Sequence, residues 1–244
     1  MRKTARPVLT LPGVLLASAL MAAVSAQAQG EAWVSSEKDN ALTLVDLKTQ
    51  AVTGTVPTCK RPRHMRLSVD GKSLLVACGD SGQADLIDIA TRKSQRLVGL
   101  GEDPEIFDLS PDGKTLYVSN EEDAILGIID LASGKRTGEV AVGKEPEGVK
   151  VSPDGKTVYV TSEVASMVHV VDVASAKVSK NIKVGKRPRR FALTPDGGQL
   201  WVSNELDASV SVIDTKTLAV IDTVKFTVKG ARAADITPVG ITMS

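Results

Sequence analysis

Aromatic residues are scarce in this sequence: two tryptophans, two tyrosines and three phenylalanines, 3% of the chain. So few rings exclude an aromatic stacking platform for single-stranded nucleic acid. The two histidines, His64 and His169, are too few to suggest a histidine-built metal centre. There is no Gly-x-Ser-x-Gly elbow, no phosphate-cradling glycine-rich loop and no His-Glu-x-x-His sequence, so no catalytic residue and no metal ligand set is assigned. Charge of one sign is lacking too, with 30 Lys and Arg against 29 Asp and Glu. Without a basic block to neutralise phosphates, nucleic acid is not an expected partner. Beyond the N-terminal region no apolar run approaches the roughly 20 residues needed to span a bilayer, and no helical period is found.

What is present begins with an export signal. Arg2, Lys3 and Arg6 precede a run from Val8 to Val24 that is apolar apart from Thr10, Pro12, Gly13 and Ser18, and Ala26-Gln27-Ala28 supplies a small-x-small cleavage site. Residues 1–28 are therefore expected to be a signal peptide, and 29–244 the mature periplasmic or secreted domain, starting at Gln29. Loss of the signal leaves 27 basic against 29 acidic residues. Export also places Cys59 and Cys78 where a disulfide can persist. Pairing is one expectation, and two unpaired residues at ordinary repeat positions the other.

Self-similarity dominates the mature chain. A turn aspartate recurs at Asp70, Asp112, Asp154 and Asp196, and a strand valine at Val34, Val76, Val118, Val160 and Val202. A strand-ending aspartate recurs at Asp46, Asp88, Asp130, Asp172 and Asp214, and a proline at Pro62, Pro104, Pro146 and Pro188, always at intervals of 42 residues. Ser110-Pro111-Asp112-Gly113-Lys114 and its counterparts are turn sequences, in which Pro presets φ and Gly takes positive φ. Short β-branched runs flank them, giving four strands per repeat. Four antiparallel strands in about 40–45 residues make one blade of a β-propeller, so the fold class is all-β. Trp33, Tyr117, Tyr159 and Trp201 share one repeat position and Phe107 and Phe191 another, which assigns them to packing between blades.

The phase of the repeat leaves the first blade short of its inner strand. Pro238-Val239-Gly240-Ile241 matches Pro146-Glu147-Gly148-Val149 after an eight-residue insertion around Phe226 to Thr237. Either Pro238–Met243 closes a five-bladed ring, or about five blades are present of a larger, seven-bladed ring cut in mid-repeat; the second is the expectation.

Leu116-Tyr117-Val118-Ser119-Asn120, Ile128-Ile129-Asp130-Leu131 and the Pro-Asp-Gly-Lys turns resemble the YVTN-type β-propeller repeat. Ser36-Glu37-Lys38-Asp39-Asn40, Asp103-Pro104-Glu105-Ile106-Phe107, Met167-Val168-His169-Val170-Val171-Asp172 and Thr237-Pro238-Val239-Gly240-Ile241 resemble, more narrowly, the periplasmic propellers associated with pyrroloquinoline quinone (PQQ)-dependent alcohol catabolism. The resemblance implies a seven-bladed ring and an accessory role beside a quinoprotein dehydrogenase or a transporter component. It does not bring ligand residues for PQQ or haem.

Loops of all blades converge where inner strands begin. The position after each opening proline carries Arg63, Glu105, Glu147 and Arg189, followed by His64 and Arg190. The loops after the second strands carry Glu37, Glu121, Glu163 and Glu205 in the same register. This charged funnel of mixed sign is the candidate site for a polar or carboxylate-bearing ligand or a partner protein; the alternative is a set of solvated loop charges. Loop glutamates on separate blades are expected to stand too far apart to share a cation. His169 aligns with Thr43, Asp85, Gly127 and Ser211 and is expected to be an indifferent polar strand residue. A non-enzymatic binding role is favoured, with lactone hydrolysis or modified-haem chemistry as the enzymatic alternative.

Overall fold

In the computed structural model, residues 30–243 are described; the expected signal peptide and Gln29 lie outside them. The chain forms five antiparallel sheets in sequence order. The first has three strands, β1 (Glu31–Ser36), β2 (Ala41–Asp46) and β3 (Val52–Pro57). The second blade holds β4 (Pro62–Leu67), β5 (Ser73–Cys78), β6 (Gln83–Asp88) and β7 (Lys93–Gly99). The third holds β8 (Pro104–Leu109), β9 (Thr115–Asn120), β10 (Ile125–Asp130) and β11 (Lys135–Ala141). The fourth holds β12 (Pro146–Val151), β13 (Thr157–Ser162), β14 (Met167–Asp172) and β15 (Lys177–Lys183). The fifth holds β16 (Pro188–Leu193), β17 (Gln199–Asn204), β18 (Ser209–Asp214) and β19 (Ala219–Lys225). This is the β-propeller that the repeat predicts. No helix among the described residues is long and apolar enough to cross a membrane.

The turn chemistry works as its residues require. Asp112 accepts from Ser110 Oγ at 2.6 Å and from Lys114 N at 3.1 Å, while Gly113 holds φ +71° and donates its N–H to Ser110 O. Val at that position would pair a positive φ with a Cβ only 3.0 Å from Val69 Cγ2. Each strand-ending aspartate caps the next turn: Asp130 Oδ1, for instance, accepts from Ser133 N at 2.8 Å.

The core lies between blades, because alternate residues of each second strand face opposite neighbours. Leu74, Val76 and Cys78 pack on Leu42 and Leu44 of the first sheet, whereas Leu75 and Ala77 pack on Phe107, Leu116 and Val118 of the third blade. Tyr117 and Tyr159 are buried at the following two interfaces. Val76, Val118, Val160 and Val202 are all 0% exposed, but Val34 is 50% exposed. β1 pairs with β2 alone, so the ladder between Trp33–Ser35 and Val239–Thr242 that would close a five-bladed ring is not formed.

A hydroxyl stitch positions the inner strands of the third, fourth and fifth blades. The ladder between inner and second strands breaks after the opening proline, and a second-strand hydroxyl fills the gap. Ser119 Oγ accepts from Ile106 N at 3.1 Å and donates to Glu147 O, in the next blade, at 2.6 Å. Thr161 Oγ1 accepts from Gly148 N and donates to Arg189 O. Ser203 Oγ accepts from Arg190 N and donates to Val239 O at 2.7 Å. The last bond puts Val239 at the register of Glu147 and Arg189, as the insertion predicts.

Candidate functional site

Four charged residues stand immediately before the opening prolines, and all hold left-handed backbone: Arg61 (φ 59°), Asp103 (36°), Glu145 (52°) and Arg187 (53°). Non-glycine residues rarely adopt this conformation. Here the carbonyl of each accepts from the residue that follows the second strand. Those donors are Gly79 N to Arg61 O, Glu121 N to Asp103 O, Glu163 N to Glu145 O and Glu205 N to Arg187 O, at 3.0–3.3 Å. The pre-proline charge, the inner-strand charge and the loop glutamate of one blade are thereby clasped together.

The predicted ring is a buried ion-pair network rather than a rim of solvated charges. Glu105 and Glu147 are 0% and 2% exposed, and Glu163 is buried as well. Arg63 pairs with Glu105. Arg189 bridges Glu147 at 3.4 Å, Glu163, and Glu205 at 3.6 Å, and Arg190 meets Glu147 at 2.6 Å. Arg187 adds contacts to Glu163 at 2.7 Å and Glu205 at 3.1 Å. Glu37 is exposed and lies 3.6 Å from Arg61, and Glu121 makes no ion pair among the described residues. Burial, then the neighbouring Glu147, pushes the Glu105 carboxyl up to about 8 against the pull of Arg63. Burial likewise raises Glu163, opposed mainly by Arg189.

The loop register alone does not reveal a carboxylate cluster in the third blade, where the loop glutamate meets the inner-strand glutamate of its own blade. Asp103, Glu105 and Glu121 each offer a carboxylate oxygen, all within 4.8 Å of one another.

Inside the ring, the inner strands and the C-terminal segment enclose a cavity of about 380 Å³, lined by His64, Arg66, Phe107, Asp108, Lys150 and Arg190 among others. His64 is half-buried and stands edge-on to Phe107 at 4.9 Å. Burial, with Arg190 and Arg66 nearby, lowers its pKa to about 3, so it is neutral at physiological pH. Arg66, Asp108 and Lys150 form a waist between this cavity and a second of about 290 Å³. Asp108 contacts Arg66 directly and lies 3.5 Å from Lys150, while also accepting from Leu109 N and Val151 N. Burial lowers the pKa of Lys150, and the Arg66 charge lowers it further.

Sequence reasoning did not single out Arg66, Asp108 and Lys150, nor Arg61, Asp103 and Arg187. The signal was available: both sets stand in the 42-residue register, with Arg187 two intervals beyond Asp103 and the other neighbours one interval apart, as Arg61 is from Asp103. The two cysteines are joined as a disulfide with Cα atoms 5.8 Å apart. His169 is not indifferent. It is buried, with Nε2 accepting from Gly143 N at 3.0 Å and Nδ1 2.6 Å from Asn181 Oδ1, and burial lowers its pKa. The neutral imidazole fixes the linker between the third and fourth blades, and both nitrogens are spent.

A family model for YNCE-like beta-propellers matches residues 145–196, the fourth blade and the start of the fifth. No curated protein matches the chain. Among solved structures it is similar to the hydrazine synthase of Kuenenia stuttgartiensis, with 28% identity and a TM-score of 0.64 over 68% of this chain and 49% of that one. The chain thus spans about half the length of that structure. Repeat, sheet topology and these likenesses agree on one statement: the chain is a β-propeller repeat protein.

Proposed function

We propose that this protein is a non-enzymatic propeller that binds a small carboxylate-bearing molecule in its channel and serves, in the periplasm, as an accessory to PQQ-dependent alcohol oxidation. One observation carries the ligand class. Asp108 is the carboxylate of the channel wall, and each of its oxygens already accepts a backbone N–H and faces a cation. A carboxylate has about four acceptor sites, so Asp108 is saturated while Arg66, Lys150 and Arg190 keep donors to spare. A second carboxylate in a cavity of about 380 Å³ would complete the pairing, and that volume falls within the range of small-molecule sites. The periplasmic setting rests on the signal-like N-terminus, and the accessory role on the resemblance of the quoted segments. A haem fits poorly: His169 has both nitrogens engaged, and His64 has no histidine opposite it among the described residues.

The test is calorimetry on the mature protein with succinate, citrate and PQQ (a tricarboxylate), against succinamide as the neutral control. Carboxylates are expected to bind, the diamide not, and Lys150→Met to weaken binding by about tenfold or more, since one charge-assisted contact is worth at least 1.4 kcal/mol. Equal behaviour of succinate and succinamide would overturn the ligand reading. Separately, tagged protein in a periplasmic extract of alcohol-grown cells should retain a quinoprotein dehydrogenase or a transporter component. Failure to do so sinks the accessory role and leaves the ligand reading standing.

A further inference from the structure

We infer that Asp103, Glu105 and Glu121 form a binding site for a divalent cation of the calcium class, separate from the channel. Their oxygens lie within 4.8 Å of one another, and the clasp from Glu121 N to Asp103 O holds the two contributing loops together. A second observation points to a missing partner. Glu105 is fully buried and spends Oε1 on Arg63, but its Oε2 is also buried and has no hydrogen-bond partner. Leaving a buried carboxylate oxygen unmet is costly.

The next blade shows what fills the equivalent space. One repeat on, Glu105 and Glu121 correspond to Glu147 and Glu163, and there the guanidinium of Arg189 touches both while Arg187 reaches Glu163. Those arginines come from the fifth blade. At the matching positions the fourth blade offers the third only Glu147 and Glu145. No ion pair engages Glu121 among the described residues. The seat taken by a protein cation in one blade therefore has none in the blade before it, although the carboxylates are kept.

The donor set decides the class of cation. Three carboxylates and no nitrogen or sulfur favour a hard ion. Magnesium demands near-ideal octahedral geometry and dehydrates reluctantly, whereas calcium accepts irregular carboxylate spheres, so three carboxylates held by one strand and two loops suit calcium. Arg61 and Arg63, from the second blade, already offset part of the negative charge. The affinity expected is that of extracellular calcium modules, a dissociation constant of about 10⁻⁴–10⁻³ M.

The experiment is calcium titration of chelator-treated, full mature protein by calorimetry, with thermal melts in parallel. One calcium per chain is expected, with a higher melting temperature and magnesium at least about tenfold weaker. Glu121→Gln should weaken calcium about tenfold or more, and Asp222→Asn, at an exposed carboxylate of β19, should leave it unchanged. If Glu121→Gln does not fold, as read by circular dichroism, Asp103→Asn serves in its place and the parent titration still decides. No heat and no shift in melting up to about 10 mM calcium, ten times the weakest expected constant, would overturn the site and favour a proton shared between Glu105 and Glu121. Unaltered binding in Glu121→Gln or Asp103→Asn would overturn it as well.

Discussion

Replacing Arg189 with methionine tests whether the buried network holds neighbouring blades together. Arg189 reaches Glu147 and Glu163 of the fourth blade and Glu205 of the fifth, with its side chain only 16% exposed. Methionine keeps most of the apolar stem, so the change isolates the charge. Removing one partner from a buried ion pair costs about 3–5 kcal/mol, because the remaining charge is left uncompensated. No carboxylate is wholly orphaned here: Glu147 retains Arg190 at 2.6 Å, and Glu163 and Glu205 retain Arg187 at 2.7 and 3.1 Å. The low end, about 3 kcal/mol, is therefore expected, which with a slope of about 2–3 kcal/mol/M lowers the urea midpoint by about 1 M or more. Acid supplies a second readout. Glu163 already titrates above its unfolded value, and without Arg189 it rises further. A carboxyl whose folded pKa exceeds its unfolded one gains stability as pH falls through the folded pKa, so the deficit should narrow as the solution is acidified. Arg232→Met, at a solvent-exposed pair with Asp235, should leave the midpoint unchanged. A shift below about 0.3 M urea at pH 7.5, under 1 kcal/mol on that slope, or a deficit independent of pH, would refute the reasoning.

Three further outcomes are expected. Gly148→Ala places a Cβ 2.2 Å from Arg189 O, so it should break the stitch between the fourth and fifth blades and cost several kcal/mol, read as lost solubility or a much lower melting temperature. His169→Ser strands the Gly143 N–H that Nε2 accepts, and chemical denaturation should show a loss of about 1–3 kcal/mol. His64 titrates near 3 in the fold, against 6.5 as its ordinary value. The unfolded chain then binds the extra proton between those values, and stability falls as pH drops from 6.5 toward 3, by a few kcal/mol at most at 1.36 per unit. His64→Asn should flatten that part of the pH–stability curve, and an unchanged slope would count against the assignment.

The blades were legible because their signals are local. A Pro-Asp-Gly-Lys turn, a β-branched run and a strand-ending aspartate each act within a few residues, and the period multiplies them. The charges were harder to read because their partners lie one whole repeat away. Arg61 with Asp103, Arg63 with Glu105, Asp108 with Lys150 and Glu147 with Arg189 are all pairs at that spacing. Taken by position, they look like a ring of solvated charge. Taken as neighbours, opposite signs at one interval are a pairing code between adjacent inner strands. Burial gives the code its weight, since surface pairs contribute little, and burial follows from the pre-proline clasp, whose left-handed backbone leaves no mark in the residue types Arg, Asp and Glu. The waist of Arg66, Asp108 and Lys150 was missed for the same reason.

The disulfide shows how the repeat tolerates a change of chemistry at a fixed geometry. Cys59 occupies the register of Gly101, Gly143 and Gly185, and Cys78 that of Asn120, Ser162 and Asn204. In the later blades this linker position and the end of the second strand approach so closely that a Cβ on Gly143 would meet Ser162 Oγ at 2.2 Å, and one on Gly185 would meet Asn204 Cγ at 2.6 Å. The polar residue then ties the linker: Asn120 Nδ2 donates to Leu100 O and Glu102 O, and Ser162 Oγ to Lys144 O. In the second blade a side chain stands where the glycine would be, and the steric conflict is resolved by a covalent bond across the gap. That blade is also the one with Ala77 where its successors have the hydroxyls of Ser119, Thr161 and Ser203, so it has no hydroxyl to stitch it to the third. A cross-link over a sequence separation of 19 contributes about 3 kcal/mol by restricting the unfolded chain, comparable to several hydrogen bonds at about 1 kcal/mol each. The blade without the hydroxyl stitch is thus the one with the covalent tie.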